Sequence, residues 1–277
     1  MGWTPEKQFD DFGAIPCPAK SLFDFEVRHR KLRFACRLKR HEGAGCLIAS
    51  LTGFIPRLRF DPPVFLRADS NIPAHVLAVS DPAFFLDETI RSSFFVGTRD
   101  DDAISGLIAV AHAVAASLGV DRARLVYWGS SSGGFGAAMA AIRSGNGNAV
   151  LVNSAFELAK FKSRPAAPAL TRIFHEGTTD EMLAGYPLRM SVGAALTKAR
   201  QDGAYPKLLV VQNKVDRIFH EHQYTPFCDA FGLPVAGGFD QSATPKAMTY
   251  SHPDGHGREP DGVLADILDC GFPLTFG

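Results

Sequence analysis

Three serines stand in a row at positions 130 to 132, bracketed by glycines in "VYWGSSSGGFGAA" (126–138). The stretch before them, "RLVYWGS", reads as a strand, and residues 133 to 143 read as a helix through Phe135, Ala138, Met139 and Ile142. A Gly-x-Ser-x-Gly turn between strand and helix holds its central serine on a sharp bend, with the hydroxyl exposed at the carboxyl end of the sheet. Ser131 is therefore the candidate nucleophile. Side chains at 129 or 133 would collide with backbone in so tight a turn, and Gly134 and Gly136 let the helix approach the sheet. The competing reading is a glycine-rich loop that caps a helix or cradles an anion on its N–H groups; the Gly-Lys-Ser/Thr ending of a nucleotide loop is missing.

A serine hydroxyl is a weak nucleophile, so it needs a base and an orienting carboxylate, expected later in the chain in the order acid, histidine. "KLLVVQNKVD" (207–216) is a buried-strand run followed by a loop that carries Asp216. "MTYSHPDGHG" (248–257) is a last strand running into a loop with His252 and His256. His256, between two glycines, is the favoured base and His252 the second choice. Asp240 and Asp254 are the alternative acids. The non-catalytic readings are a turn in which Asp216 pairs with Arg217, and a loop that leaves His256 exposed. His220 and His222 in "FHEHQ" lack a clear third ligand, so they are read as solvated or pocket-lining and no metal is expected.

These residues must be positioned by an alternation of strands and helices, which calls for a mainly parallel sheet covered on both faces. "LRFACRLKR" (32–40) alternates like a half-exposed strand, and "GCLIASLTG" (45–53) and "AHVLAVSD" (74–81) are buried-strand runs. Residues 103 to 118 form a helix with a broad apolar face, preceded by acids at 100 to 102 and stopped by Gly119. "NAVLVNSAF" (148–156) returns to strand. The composition, 46% hydrophobic in 277 residues, suffices to bury one large core, so a single domain spanning 1–277 is expected. The 29 basic and 29 acidic side chains cancel, which argues against a nucleic-acid or anionic membrane partner.

No segment is apolar enough to span a membrane and the first twenty residues do not pattern as a leader, so a cytoplasmic protein is expected. Met1-Gly2 fits a myristoylation motif poorly. Cys17, Cys36, Cys46, Cys228 and Cys270 are scattered and are read as free thiols.

The elbow at 129–133, with an acid and a histidine in the loops after later strands, resembles the α/β-hydrolase fold over residues 30 to 270. The combination of "GSSSGGFGA", "VVQNKVDRIFHEHQYTPF" and "HPDGHG" looks like the branch that includes bacterial capsular polysaccharide biosynthesis proteins and polysaccharide O-acetyltransferases. The resemblance implies an oxyanion hole from the backbone N–H of Ser132 and a second N–H in "LTGF", which carries over to Phe54. Relatives often place a histidine where this chain has Thr52. The resemblance also implies that 157–205 is a lid or cap insertion, whose Lys160, Lys162, Arg164, Arg172, Phe174 and His175 would meet a polar or anionic substrate; a solvated helical hairpin is the alternative.

The expected activity is acyl transfer through Ser131, His256 and Asp216. With water as acceptor the chain is a carboxylesterase-type serine hydrolase acting on a small-molecule ester, and no cofactor is expected. With a carbohydrate hydroxyl as acceptor it is an O-acetyltransferase using acetyl-CoA as co-substrate. A third reading is a non-catalytic binding module.

Overall fold

The computed structural model describes residues 3–13, 15–56, 61–68, 70–161, 166–174, 177–237, 245–257 and 259–269. Met1, Gly2, Lys162, Arg164, His175, Asp240 and Cys270 lie outside the described residues. The strands are β1 (Lys7–Phe9), β2 (Leu22–His29), β3 (Leu32–Lys39), β4 (Leu47–Leu51), β5 (His75–Val79), β6 (Leu125–Ser130), β7 (Asn148–Val152), β8 (Lys207–Asn213) and β9 (Lys246–Tyr250). They form one sheet in the order β1-β2-β3-β5-β4-β6-β7-β8-β9. From β5 to β9 every neighbour pairs parallel, whereas β3 is antiparallel to both β2 and β5.

Parallel neighbours require crossovers. Helix α1 (Ala103–Ser117) carries the chain from β5 past β4 to β6, and α2 (Ser132–Arg143) links β6 to β7. The start of α1 is set by Asp102, whose side chain accepts from the Ile104 N–H at 3.2 Å, and Gly119 beyond its end takes φ +70°. Between β7 and β8 come α3 (Ala166–Phe174), α4 (Thr179–Gly185), α5 (Pro187–Met190) and α6 (Val192–Gln201). A continuous helical stretch then follows β8, made of α7 (Arg217–Phe219), a π-helical turn (His220–Tyr224) and α8 (Thr225–Phe231), and α9 (Asp261–Asp269) follows β9.

Alternation along the central strands fills both faces. Leu125 and Tyr127 of β6 join the larger core with Leu107 and Val110 of α1 and Phe135 of α2, while Val126 and Trp128 join a smaller core closed by Ile267 of α9. Helix α6 buries Val192 and Leu196 in the larger core and packs on α2. Helix α6, within 157–205, lies on the path from β7 to β8.

Candidate active site

The chain leaves β6 through Ser130 and turns at once into α2, so one residue must absorb the reversal. That residue is Ser131, at φ 56° and ψ −123°, a conformation that costs a non-glycine residue on the order of 1–3 kcal/mol. The bend is held from both sides. The Ser131 N–H donates to the Val152 carbonyl at 3.1 Å, and the Ser131 carbonyl accepts from Gly134 and Ala155, also at 3.1 Å. A Cβ on Gly129 would overlap the Gly133 carbonyl, and one on Gly133 would lie 2.7 Å from the Leu51 carbonyl oxygen. Ser130 and Ser132 are buried, whereas Ser131 is half-buried and faces a pocket. Ser132, at the first helical position, carries an N–H with no acceptor inside the helix.

Asp216 stands three residues beyond β8 and caps α7, its Oδ1 accepting from the Phe219 N–H at 3.4 Å. Its Oδ2 lies 2.6 Å from His256 Nδ1. Phe219, on the same short helix, stacks on the imidazole with centroids 4.0 Å apart. With Nδ1 held by the carboxylate, Nε2 is the nitrogen left for proton transfer, and Ser131, Asp216 and His256 all line one cavity of about 530 Å³. His252 is held differently: its Nδ1 accepts from the Asp254 N–H at 3.4 Å and lies 3.6 Å from the Asp254 carboxylate. Arg217 points to Glu221, 3.7 Å away, and Asp254 is exposed.

The loop that presents His256 is pinned by two buried asparagines that sequence reading passed over. Asn213, the last residue of β8, donates from Nδ2 to the carbonyls of His252 and Gly255, both at 2.8 Å, and its Oδ1 accepts from the His252 N–H at 3.0 Å. Asn153, just past β7 at φ 44°, donates from Nδ2 to the Gly257 carbonyl and to the Tyr250 hydroxyl, both at 2.9 Å. Gly255 and Gly257 flank His256, so the loop is held both before and after the imidazole. The signal in the sequence was an asparagine where each of two apolar runs gives way to a loop, Asn153 after "AVLV" and Asn213 after "LLVVQ".

A third support joins residues 192 positions apart. Arg67, at φ 60°, forms a two-pronged ion pair with Glu259, three residues beyond His256, with Nε to Oε1 at 2.9 Å and Nη2 to Oε2. Both side chains are buried, and the guanidinium lies over the Trp128 ring, 5.3 Å from its centroid, on the strand that leads into Ser131. No local pattern announces this pair.

The remaining wall comes from the loop after β5. Buried Asp81 accepts from Ala83 N–H at 3.0 Å, Ser93 Oγ at 2.6 Å and Phe95 N–H at 3.0 Å, and burial pushes its pKa up against those bonds. These contacts hold Phe94 and Phe95, both at positive φ, and so place Phe94 in the pocket. Phe54 also lines the pocket and is exposed; the Thr52 hydroxyl, with its one proton, lies 2.8 Å from the Val64 carbonyl and 3.0 Å from the Val79 carbonyl, which ties down the chain just before Gly53. Among the described residues no three His, Cys, Asp or Glu side chains gather as a metal site; His220 lies in the π-helical turn with its ring 5.3 Å from Tyr224.

No protein-family model and no curated protein sequence matches the chain. Solved structures do. The capsule O-acetyltransferase of Neisseria meningitidis serogroup A superposes with a TM-score of 0.64 at 16% identity, covering 88% of this chain and 92% of that one. FphF, a fluorophosphonate-binding serine hydrolase of Staphylococcus aureus, gives 0.59 at 12% identity over 92% and 98% of the two chains. An S-formylglutathione hydrolase from Agrobacterium tumefaciens gives 0.59 at 16% identity over 92% and 95%. The chain has the α/β-hydrolase fold. The α/β-hydrolase sheet places Ser131 after β6, Asp216 after β8 and His256 after β9, all at the carboxyl ends of parallel strands. No helix among the described residues is long and apolar enough to cross a membrane.

Proposed function

We propose that the protein is a serine-dependent acyl-transfer enzyme with Ser131 as nucleophile, His256 as general base and Asp216 as the acid that orients it. The observation that carries this reading is the 2.6 Å contact between His256 Nδ1 and Asp216 Oδ2 in the pocket that Ser131 enters from a strained bend. In the proposed reaction the Ser131 Oγ adds to an ester carbonyl while His256 Nε2 takes its proton. The tetrahedral oxyanion is met by the N–H of Ser132 and by the backbone of Phe54, and collapse expels the alcohol, which receives the proton from His256. A water molecule then gives up a proton to His256, adds to the acyl-enzyme and releases acid and free Ser131. Asp216 keeps the imidazole in the required tautomer and stabilises its charged form.

Hydrolysis is the first reading, as a carboxylesterase, because the carbonyl chemistry needs only these side chains and water. The second is transfer of an acetyl group from acetyl-CoA to a carbohydrate hydroxyl, favoured by the superposition on a capsule O-acetyltransferase, a protein of which a histidine-to-alanine mutant has also been solved in complex with CoA. Under either reading the first part of 157–205 acts as a cap, since Phe161 reaches the pocket, and the enzyme works in the cytoplasm on small-molecule or carbohydrate substrates. A fluorophosphonate should label the protein once, at Ser131, with no label on Ser131→Ala. Label on Ser130 or Ser132 would overturn the assignment. Incubation with acetyl-CoA, with and without oligosaccharides, separates the two readings: release of acetate regardless of sugar marks the esterase, and an acetylated sugar marks the transferase.

A further inference from the structure

The pocket is built for more than an acetyl group. Phe54, Phe94, Phe161, Ile218 and Phe219 supply its lining, and about 530 Å³ lies in the range of sites that enclose a whole small organic ligand. Phe54 and Ile218 are exposed at 55% and 52%, so the apolar surface continues to the mouth. Against this lining stand two groups of opposite formal charge. Asp216 is buried and committed to His256, which leaves Arg91.

Arg91 is exposed and lines the pocket between Thr89 and Ser92. Among the described residues its guanidinium has no carboxylate partner. Asp87, four residues before it, is taken by Thr89 and by Arg172 at 3.1 Å. Its backbone is fixed, because the Arg91 carbonyl accepts from the Ile55 N–H at 2.8 Å, which ties the segment to the loop carrying Phe54. A planar, permanently charged fork on the wall of an apolar cleft is suited to pair with a carboxylate or phosphate.

We infer that Arg91 is the specificity-determining residue of this pocket, selecting esters that carry an anionic group beside an apolar or aromatic body. This rests on the acyl-transfer reading above. The apolar body lies on the phenylalanines near Ser131 and the anion reaches the guanidinium. Because the pair is only partly desolvated, the preference is modest and salt-dependent.

The test compares kcat/KM for 4-acetoxybenzoate, 4-acetoxyphenyl phosphate and uncharged 4-acetoxybenzamide in the wild type, Arg91→Gln and Arg91→Lys. The wild type should favour one or both anionic esters over the amide by about fivefold at low salt, the ratio should shrink as salt is added, Arg91→Lys should keep most of it and Arg91→Gln should bring it close to one. Which anion is favoured more identifies carboxylate or phosphate as the source. A parallel calorimetric titration in the Ser131→Ala background, with and without Arg91→Gln, uses the uncleaved analogues 4-acetamidobenzoate, 4-acetamidophenyl phosphate and 4-acetamidobenzamide. Hydrolysis with no anion preference, or with a preference that survives Arg91→Gln, overturns the inference and leaves acyl transfer standing. An Arg91-dependent binding preference without hydrolysis of any ester upholds the anion site and overturns the esterase reading. No preference in either measurement overturns the inference outright.

Discussion

The Asn213 backbone N–H donates to Asn153 Oδ1 at 2.7 Å, so the two asparagines that hold the peptides on either side of His256 also hold each other. The chain ends of β7 and β8 and the His256 loop are thereby one unit. Asn213→Ala removes three donors and acceptors from that unit at once and frees the loop to drift. Under the acyl-transfer reading a shift of about 1 Å costs on the order of 10²-fold in rate. Steady-state kinetics on an aryl ester should show kcat falling by that order with little change in KM, together with slower phosphonate labelling of Ser131. An unchanged kcat would separate the asparagines from the chemistry.

Asp216→Asn should leave the fold in place, because an amide oxygen still accepts from the Phe219 N–H. Turnover should drop by roughly 10⁴-fold, since the imidazole loses the partner that fixes its tautomer and stabilises its positive charge. Activity within tenfold of the wild type would transfer the acid role to another carboxylate.

Gly129→Ala is expected to disrupt the elbow. The added Cβ would overlap the Gly133 carbonyl, which is backbone of the first turn of α2, and Gly133 is itself packed closely against the Leu51 carbonyl of β4. A loss of about 3 kcal/mol in denaturant unfolding, or failure to accumulate soluble protein, is the expected outcome. Gly145→Ala, with open space around its Cβ position but a φ of +85°, is the control for conformational cost alone.

Removing one partner of the Arg67–Glu259 pair leaves a charge buried without compensation. Glu259→Ala should cost about 3–5 kcal/mol, whereas the double change Arg67→Met with Glu259→Leu should recover most of that stability. If the pair positions the base, the double variant remains slow in kcat while its melting temperature returns. Full recovery of both would mark the pair as structural only.

The acid limb of stability should carry the signature of Asp102, which caps α1. Burial raises its pKa, but hydrogen bonds from Arg143 and Ser105 and the charges of Arg143 and Arg189 outweigh this and hold the carboxyl below its ordinary 3.8. A carboxylate whose folded value is depressed adds stability above its unfolded value, near 3.9, and loses it as pH falls through the lower folded value. Asp102→Asn should therefore lower the melting temperature at about pH 7 and narrow the gap to the wild type below about pH 3.5. A gap that stays constant with pH would show that the carboxylate's charge contributes nothing.

Sequence alone determined the elements whose cause is local. The glycines around Ser131 specify a strand-to-helix bend because no other residue fits there, and the apolar runs of β4 to β8 specify buried parallel strands because both of their faces must be covered. The choice of Ser131 among three serines followed from the same steric logic. β1 and β2 were not read, since β1 is a three-residue edge strand and β2 takes its place from pairing with β3 across a tight turn at Arg30.

What required the tertiary structure is everything set by meetings of distant residues. Asp216 and His256 were candidates among several acids and two histidines, and only packing brings His256 Nδ1 to Asp216 while leaving His252 beside Asp254. The docking of α6 against α2 is likewise something that neither helix encodes by itself. The asparagine clamp, the Arg67–Glu259 strap and the Asp81 anchor are single polar residues in ordinary surroundings of sequence. Their partners lie up to 192 residues away, and burial makes each bond obligatory only once the sheet has assembled.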